Sequence, residues 1–232
     1  MTIRMKPYYA DSNVTLYHGD CLEVTEWLAA DVLITDPPYG MKNISRGTYD
    51  STTGITHKPV GAERIASDHN VECRDKALAL WGHRPRVVFG TWRQPRPDPV
   101  DHRLIWHKQG QAPGPLSAAF MLQDEEIYVT GRGFVESSPP MRTVITTQER
   151  RSGQVAVIGH PTPKPVSLME LLITRCPPGV IADPFAGAGA TLLAARNQRR
   201  QAIGVELEER YCEIAARRLD QMCLDFGTEV GK

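Results

Sequence analysis

No run in this 232-residue chain is apolar for long enough to cross a bilayer. The start, Met1-Thr2-Ile3-Arg4, has no apolar signal-peptide core, so a cytoplasmic protein is expected. Cysteine is scarce: the five residues, at 21, 73, 176, 212 and 223, are odd in number and form no Cys-x-x-Cys pair. They read as reduced, mostly buried thiols, and no metal site is expected. Net charge is also missing, with 27 basic against 27 acidic residues. A tight nonspecific nucleic-acid binder is usually basic. Neither Gly-x-Gly-x-x-Gly nor Gly-Lys-Ser/Thr occurs, which excludes the common dinucleotide and P-loop phosphate sites.

The remaining composition, 41% apolar and 23% charged, is that of one α/β domain with a sizeable core. Short β-branched runs predict strands at about 14–17, 32–35, 86–91, 103–107, 125–130, 180–182 and 201–205. Helical spacing predicts helices at 21–28, 71–81, 166–175 and 191–196. It predicts another from Leu207 through Tyr211, Ile214, Ala215 and Leu219 to Met222, and these apolar residues are expected to face the core. In 71–81 the buried side is assigned to Ala77, Leu78, Leu80 and Trp81. Residues 41–70 include a polar, Gly/Ser/Thr-rich stretch, expected to be a mobile loop. Residues 131–155 are polar as well. Arginines and histidines cluster at Arg84, Arg86, Arg93, Arg96, His102 and Arg103, and arginines recur at Arg142, Arg150 and Arg151; both groups could track phosphates or be a solvated surface.

Two stretches carry chemistry. In Val32-Leu33-Ile34-Thr35-Asp36-Pro37-Pro38-Tyr39, a buried strand runs into a proline-stiffened loop. The carboxyl ends of such strands are where open α/β sheets bind ligands. An exocyclic amine carries two N–H donors; Asp36 can accept one and the Pro37 carbonyl the other, while Tyr39 offers a stacking face. In Val180-Ile181-Ala182-Asp183-Pro184-Phe185-Ala186-Gly187-Ala188-Gly189-Ala190-Thr191, a strand leads through a glycine loop into a helix. The next strand ends at Glu206, placed to accept from both hydroxyls of a ribose. Earlier, Gly19-Asp20-Cys21 follows a strand, and Asp20 is a ligand contact, a helix N-cap, or both.

Asp-Pro-Pro-Tyr resembles the catalytic motif of the amino-methyltransferases, and Asp-Pro-Phe-Ala-Gly-Ala-Gly resembles their S-adenosylmethionine motif. The catalytic motif comes first, as in the β-group of DNA amino-methyltransferases. The resemblance implies a Rossmann-like α/β fold with a mostly parallel sheet, a terminal antiparallel hairpin and a circularly permuted motif order. It implies a single methyltransferase domain over 1–232, with a catalytic-side loop at about 41–70 and a short target-recognition region at about 131–155. Asp36, Pro37, Pro38 and Tyr39 take the catalytic roles. The cofactor set is Asp20, Cys21, Asp36, His160, Thr162, Lys164, Pro165, Asp183, Pro184, Phe185, Ala186, Gly187, Gly189, Thr191, Glu206 and Leu207, with His160 to Pro165 forming a His-Pro-x-x-Lys-Pro motif that helps hold the donor. Trp106 and Lys108, followed by a Gly/Pro-rich turn and an acid before an apolar strand, are also a family habit. Cys176-Pro177 reverses the Pro-Cys order of cytosine-C5 enzymes, so no thiol nucleophile is implied.

The implied reaction is methylation of an extruded DNA base, leaving S-adenosylhomocysteine. Asp before Pro-Pro-Tyr favours adenine N6 over cytosine N4 by family habit. RNA amino-methylation and a noncatalytic DNA-binding protein remain the alternatives. The host would be a bacterial, archaeal or phage-infected cell. A homodimer and a cognate restriction enzyme stay open as partners.

Overall fold

The computed structural model describes residues 5–40, 48–50, 55–57, 70–109, 123–137, 139–147, 158 and 163–223. The strands are β1 Tyr9–Ala10, β2 Val14–His18, β3 Val32–Thr35, β4 Thr48–Asp50, β5 Ile55–His57, β6 Arg86–Gly90, β7 His102–Lys108, β8 Asp124–Thr130, β9 Val144–Thr147, β10 Ile181–Asp183 and β11 Ala202–Glu206. The helices are α1 Glu72–Trp81, α2 Val166–Ile173, α3 Ala190–Asn197 and α4 Glu209–Cys223.

One large sheet runs β1-β2-β11-β10-β3-β6-β8-β7-β9. From β2 to β6 the strands are parallel. β8 inserts antiparallel between β6 and β7, which makes the expected hairpin. All four residues of β3 are buried, as befits a strand covered on both faces. One face packs against α2, α3 and α4 through Leu168, Leu172, Leu192, Ala215 and Leu219. The other meets α1 and the turn before β3 through Trp27, Ala77, Leu78 and Trp81. Trp27 and Trp81 stack at 5.8 Å, and the Trp27 indole N–H donates to the Cys21 carbonyl at 2.9 Å.

Several expectations need correction. The helix expected at 21–28 is a hydrogen-bonded turn followed by a short 3-10 segment, Glu26–Ala29. Asp20 caps that turn, accepting from Leu22 N–H, and the Trp27 bond to Cys21 pins a conformation that a regular helix would not allow. Leu80 and Leu207 are exposed, not core. Periodicity assigned them inward, but α1 shows only its Ala77, Leu78 and Trp81 stripe to the sheet, and Leu207 precedes the first turn of α4. Val144–Thr147 forms an edge strand parallel to β7 in a stretch read only as polar. In 41–70, Thr48–Asp50 and Ile55–His57 pair as a separate antiparallel ribbon; most of the rest lies outside the described residues.

Trp27→Ala removes a fully buried, stacked ring whose N–H also fixes the Asp20–Cys21 turn. It should cost about 3–5 kcal/mol of stability, measured by urea unfolding. A loss below about 1 kcal/mol would show that the stack is not part of the core.

Candidate active site

Parallel pairing gathers acids along one edge of the sheet. In spatial order, β2, β11, β10 and β3 end at or just before Asp20, Glu206, Asp183 and Asp36. β11 pairs with β2 to its last residue, Glu206 opposite His18, and Gly19 N–H then donates to the Glu206 carbonyl at 2.9 Å. Between β10 and α3 the glycine loop bends with Gly187 at φ 50° and Gly189 at φ 77°. A Cβ on Gly189 would stand 2.9 Å from Ala215 Cβ, so the loop must stay bare there.

The Glu206 carboxylate organises this loop. One oxygen accepts Gly187 N–H at 2.7 Å and the other Glu208 N–H at 2.8 Å. Burial raises its pKa, partly opposed by these bonds. Asp183 accepts the Thr35 hydroxyl at 2.7 Å and Phe185 N–H at 3.2 Å. Burial pushes its carboxyl up to about 6. Pro184, Ala186 and Thr191 are buried around it, and Phe185 is half-buried. Leu207 contributes a carbonyl, 3.1 Å from His18 Nε2.

One strand over, Asp36 sits in a compact charged cluster. Its Oδ1 accepts the Tyr39 hydroxyl at 2.6 Å and its Oδ2 pairs with the Lys164 ammonium. Lys164 also reaches Glu125 at 3.1 Å, and Glu125 pairs with Lys108. The Tyr39 hydroxyl lies 3.2 Å from Glu125. Burial opposes the charge on Glu125, but Lys164 and Lys108 outweigh it and hold the carboxyl at about 2. Burial likewise disfavours the Lys164 ammonium, yet Asp36 and Glu125 raise its pKa overall. Burial and the two carboxylates keep the Tyr39 hydroxyl protonated, a donor. Phe89 and Trp106 lie 5.0 and 5.9 Å from the Lys164 ammonium.

A row of strand-end acids, a bare glycine loop and a charged Asp-Pro-Pro-Tyr corner are thus contiguous. A family model described as DNA methylase, for N6 and N4 methyltransferases, matches residues 75–217. The chain belongs to this DNA methylase family. It is 34% identical over 259 residues to the type II methyltransferase M.HinfI of Haemophilus influenzae, covering 94% of this chain and 71% of that one. It is 28% identical over 260 residues to the type II methyltransferase M.ScaI of Streptomyces caespitosus, covering 93% and 84%. Its fold is similar to the PvuII DNA methyltransferase described as cytosine-N4-specific, with TM-score 0.63, 17% identity and coverage of 97% of this chain and 91% of that one. It is also similar to M1.HpyAVI in complex with SAM, with TM-score 0.61, 20% identity and coverage of 88% and 99%.

The methyl donor of such a methylase is S-adenosylmethionine, and the donor set fits it. The donor is cationic at its sulfonium and its ammonium and carries a ribose diol. The methylase offers the carboxylates Glu206 and Asp183 beside a glycine loop that a Cβ would fill. Asp20, Cys21, Asp183, Pro184, Phe185, Ala186, Gly187, Gly189, Thr191 and Glu206 lie on the strand ends and loops of this edge. Lys164 bridges Asp36 and Glu125, and Pro165 caps α2 directly behind it. His160 and Thr162 lie outside the described residues.

Glu125 was visible only as an acid preceding an apolar strand. Its place between two lysines depends on β8 running antiparallel, with Glu125 opposite Trp106. Cys73 of α1 was a further surprise. Its sulfur lies with ligand atoms of Asp20 and Cys21, all within 4.8 Å of one another, although no local spacing joins them.

Glu125→Gln removes the carboxylate shared by the buried Lys164 and the half-buried Lys108. It should lower stability by about 3–5 kcal/mol, seen as a reduced urea midpoint. Adding Lys108→Met should recover part of that loss. An unchanged midpoint in the single variant would mean that solvent compensates these charges.

Proposed function

We propose that this methylase transfers a methyl group from S-adenosylmethionine to the N6 amine of adenine in DNA, on a base turned out of the duplex. The observation that carries the reading is the Asp36–Tyr39 pair at the end of β3, adjoining the acid-lined glycine loop of β10. The bound donor supplies an electrophilic methyl on a sulfonium. Asp36 accepts one N–H of the base amine and the Pro37 carbonyl the other, with Pro38 stiffening the turn. These bonds draw the nitrogen lone pair out of conjugation and aim it outward. Transfer would form the C–N bond as the S–CH3 bond breaks, with S-adenosylhomocysteine as the leaving group, and Asp36 or water would take the proton that returns the methylated nitrogen to neutrality. The Tyr39 ring supports the base, a contact worth about 1–3 kcal/mol in comparable sites.

Both Asp36 oxygens already have partners, Tyr39 and Lys164. A carboxylate oxygen has two lone pairs, so an incoming N–H is added without displacing them. The paired charges of Asp36, Glu125, Lys108 and Lys164 leave the corner near neutrality, so a neutral base enters without meeting a strong field. Positioning and electrostatics supply the rate. In this reading 1–232 is one methyltransferase domain, with a catalytic-side loop at about 41–70, most of it outside the described residues, and a short target-recognition region at about 131–155. The enzyme works in the cytoplasm; no described helix is long and apolar enough to cross a membrane. A homodimer and a restriction enzyme of matching specificity are the partners to test for.

The protein and its Asp36→Ala variant should be expressed in a host without DNA methylases and the DNA digested to nucleosides for mass spectrometry. N6-methyladenine is expected only with the intact protein, while donor affinity in Asp36→Ala stays within a few-fold. N4-methylcytosine would move the reading to cytosine, whose amine suits the same acceptors. Loss of donor binding in Asp36→Ala would reassign that residue. Glu206→Ala should weaken donor affinity before anything else, and unchanged affinity would remove Glu206 from the site.

Asp183 gives the reading a pH dependence. Without donor, its raised pKa means that the fold prefers the protonated acid. Stability is therefore lost as pH rises from the unfolded value, about 4, through about 6. A cationic donor prefers the ionised form, so donor affinity should fall as pH drops through about 6. Calorimetry between pH 5 and 7.5 checks this, and Asp183→Asn should flatten the profile; a slope that persists in the variant assigns the effect elsewhere.

A further inference from the structure

The loop from Thr91 to Asp101 follows β6, the strand beside β3, and so leaves the sheet next to the Asp-Pro-Pro-Tyr corner. Its backbone is held from beneath by two buried arginines. Arg74 donates to the Pro95 carbonyl at 2.9 Å, and Arg86 to the carbonyls of Asp98 and Pro99 at 2.9 and 3.1 Å. The Thr130 hydroxyl adds a 2.6 Å bond to Pro99, and the Gln94 side chain donates to the Gly40 carbonyl, one residue after Tyr39, at 3.2 Å. A buried guanidinium is costly unless it is paired or hydrogen-bonded, and here the bonds that offset the cost, with the Arg74–Asp75 ion pair, also fix the loop.

That shape presents Trp92 to solvent at 61% exposure, whereas Trp27, Trp81 and Trp106 are at most 5% exposed. The Arg93 guanidinium stands 5.3 Å over the Trp92 ring, and Arg96 is exposed three residues further on, with Asp98 and Asp101 as the exposed acids of the loop. A lone exposed aromatic is ordinary on a protein surface. An exposed indole under one guanidinium, on a loop whose Gln94 is hydrogen-bonded to Gly40, suits something flat and anionic.

We propose that Trp92 stacks on the base face uncovered when the target base leaves the duplex, while Arg93 and Arg96 contact the flanking phosphates. The inference rests on the reading of the protein as a DNA base methyltransferase. Extrusion exposes neighbouring bases and costs unstacking energy. An aromatic or apolar wedge at the opened step offsets that cost, and an indole stacks on any base. The neutral overall charge is no obstacle, because these cations lie on the edge where the base must enter.

Acrylamide quenching of tryptophan fluorescence reports Trp92, since the other three indoles are buried. Binding would be measured, with S-adenosylhomocysteine present, to a fully paired duplex and to one with a single unpaired adenine. Duplex should protect the fluorescence of the wild-type protein. Trp92→Ala should weaken binding to the unpaired-adenine duplex about 10-fold and Trp92→Phe should largely restore it, with donor affinity unchanged in both. Arg93→Ala with Arg96→Ala should weaken both duplexes alike and reduce the salt slope by about one unit per arginine.

Quenching unaffected by duplex, or Trp92→Ala binding like wild type while wild type methylates DNA, overturns the role of Trp92 alone. Protection that appears on raising protein concentration without DNA would assign the surface to a second copy of the chain and also overturn it. A wild-type protein that binds S-adenosylmethionine but neither binds nor methylates DNA overturns the DNA reading and this inference together.

Discussion

The parallel pairing of β10 with β3 joins two parts of the chain that are far apart in sequence. Ile181 and Ala182 sit opposite Val32 and Leu33, and the Thr35 hydroxyl crosses to Asp183 over 148 residues. The glycine loop and the Asp-Pro-Pro-Tyr corner therefore leave the same edge of the sheet side by side. That Asp-Pro-Pro-Tyr precedes the glycine loop in the chain is no obstacle to their working together, because the sheet sets them side by side. A register slip of one residue here would turn Thr35 away from Asp183 and separate the two halves.

Charge balance is the second constraint. Asp36, Glu125, Lys108 and Lys164 arrive from four separate parts of the chain, and the buried Glu125 and Lys164 are each held charged by opposite partners. The Lys164 ammonium lies at the Asp-Pro-Pro-Tyr corner. It is the physical link between the segment that opens α2 and the carboxylate at the end of β3. The cluster fixes the Asp36 and Tyr39 side chains through ion pairs and hydrogen bonds, so under the proposed function little reorganisation is left for the reaction.

Arginines in this chain do two unlike jobs. Arg84 donates to the carbonyls of Leu28 and Ala30 and lies 3.6 Å over the Trp81 ring, and Arg86 turns inward to the loop after β6. Neither can follow a phosphate backbone from there. Arg93 and Arg96, a few residues on, face solvent. A basic cluster in sequence is thus divided by the fold into structural struts and surface charge, and counting residues could not separate them.

Much of the fold was legible because its signals are local. Val32–Thr35 is buried on both faces and is apolar throughout but for its last residue, and the glycine loop announces its strand and helix within a few residues. The two motifs and Glu206 could be named for the same reason. Where a signal depended on distant partners, the reading failed or stopped short. The turn after Asp20 is set by the bond from Trp27 to Cys21, and β9 exists because β7 offers it an edge. The exposure of Leu80 and Leu207 follows from which stripe the sheet covers. The sequence by itself determined the family, the strand-loop-helix units and the identity of the strand-end acids, since each is written in contiguous residues. Only the tertiary structure decided that Glu125 and Lys164 join Asp36, that Cys73 meets Cys21, and that Trp92 stands exposed beside the site, because strand order and side-chain direction are properties of the assembled sheet.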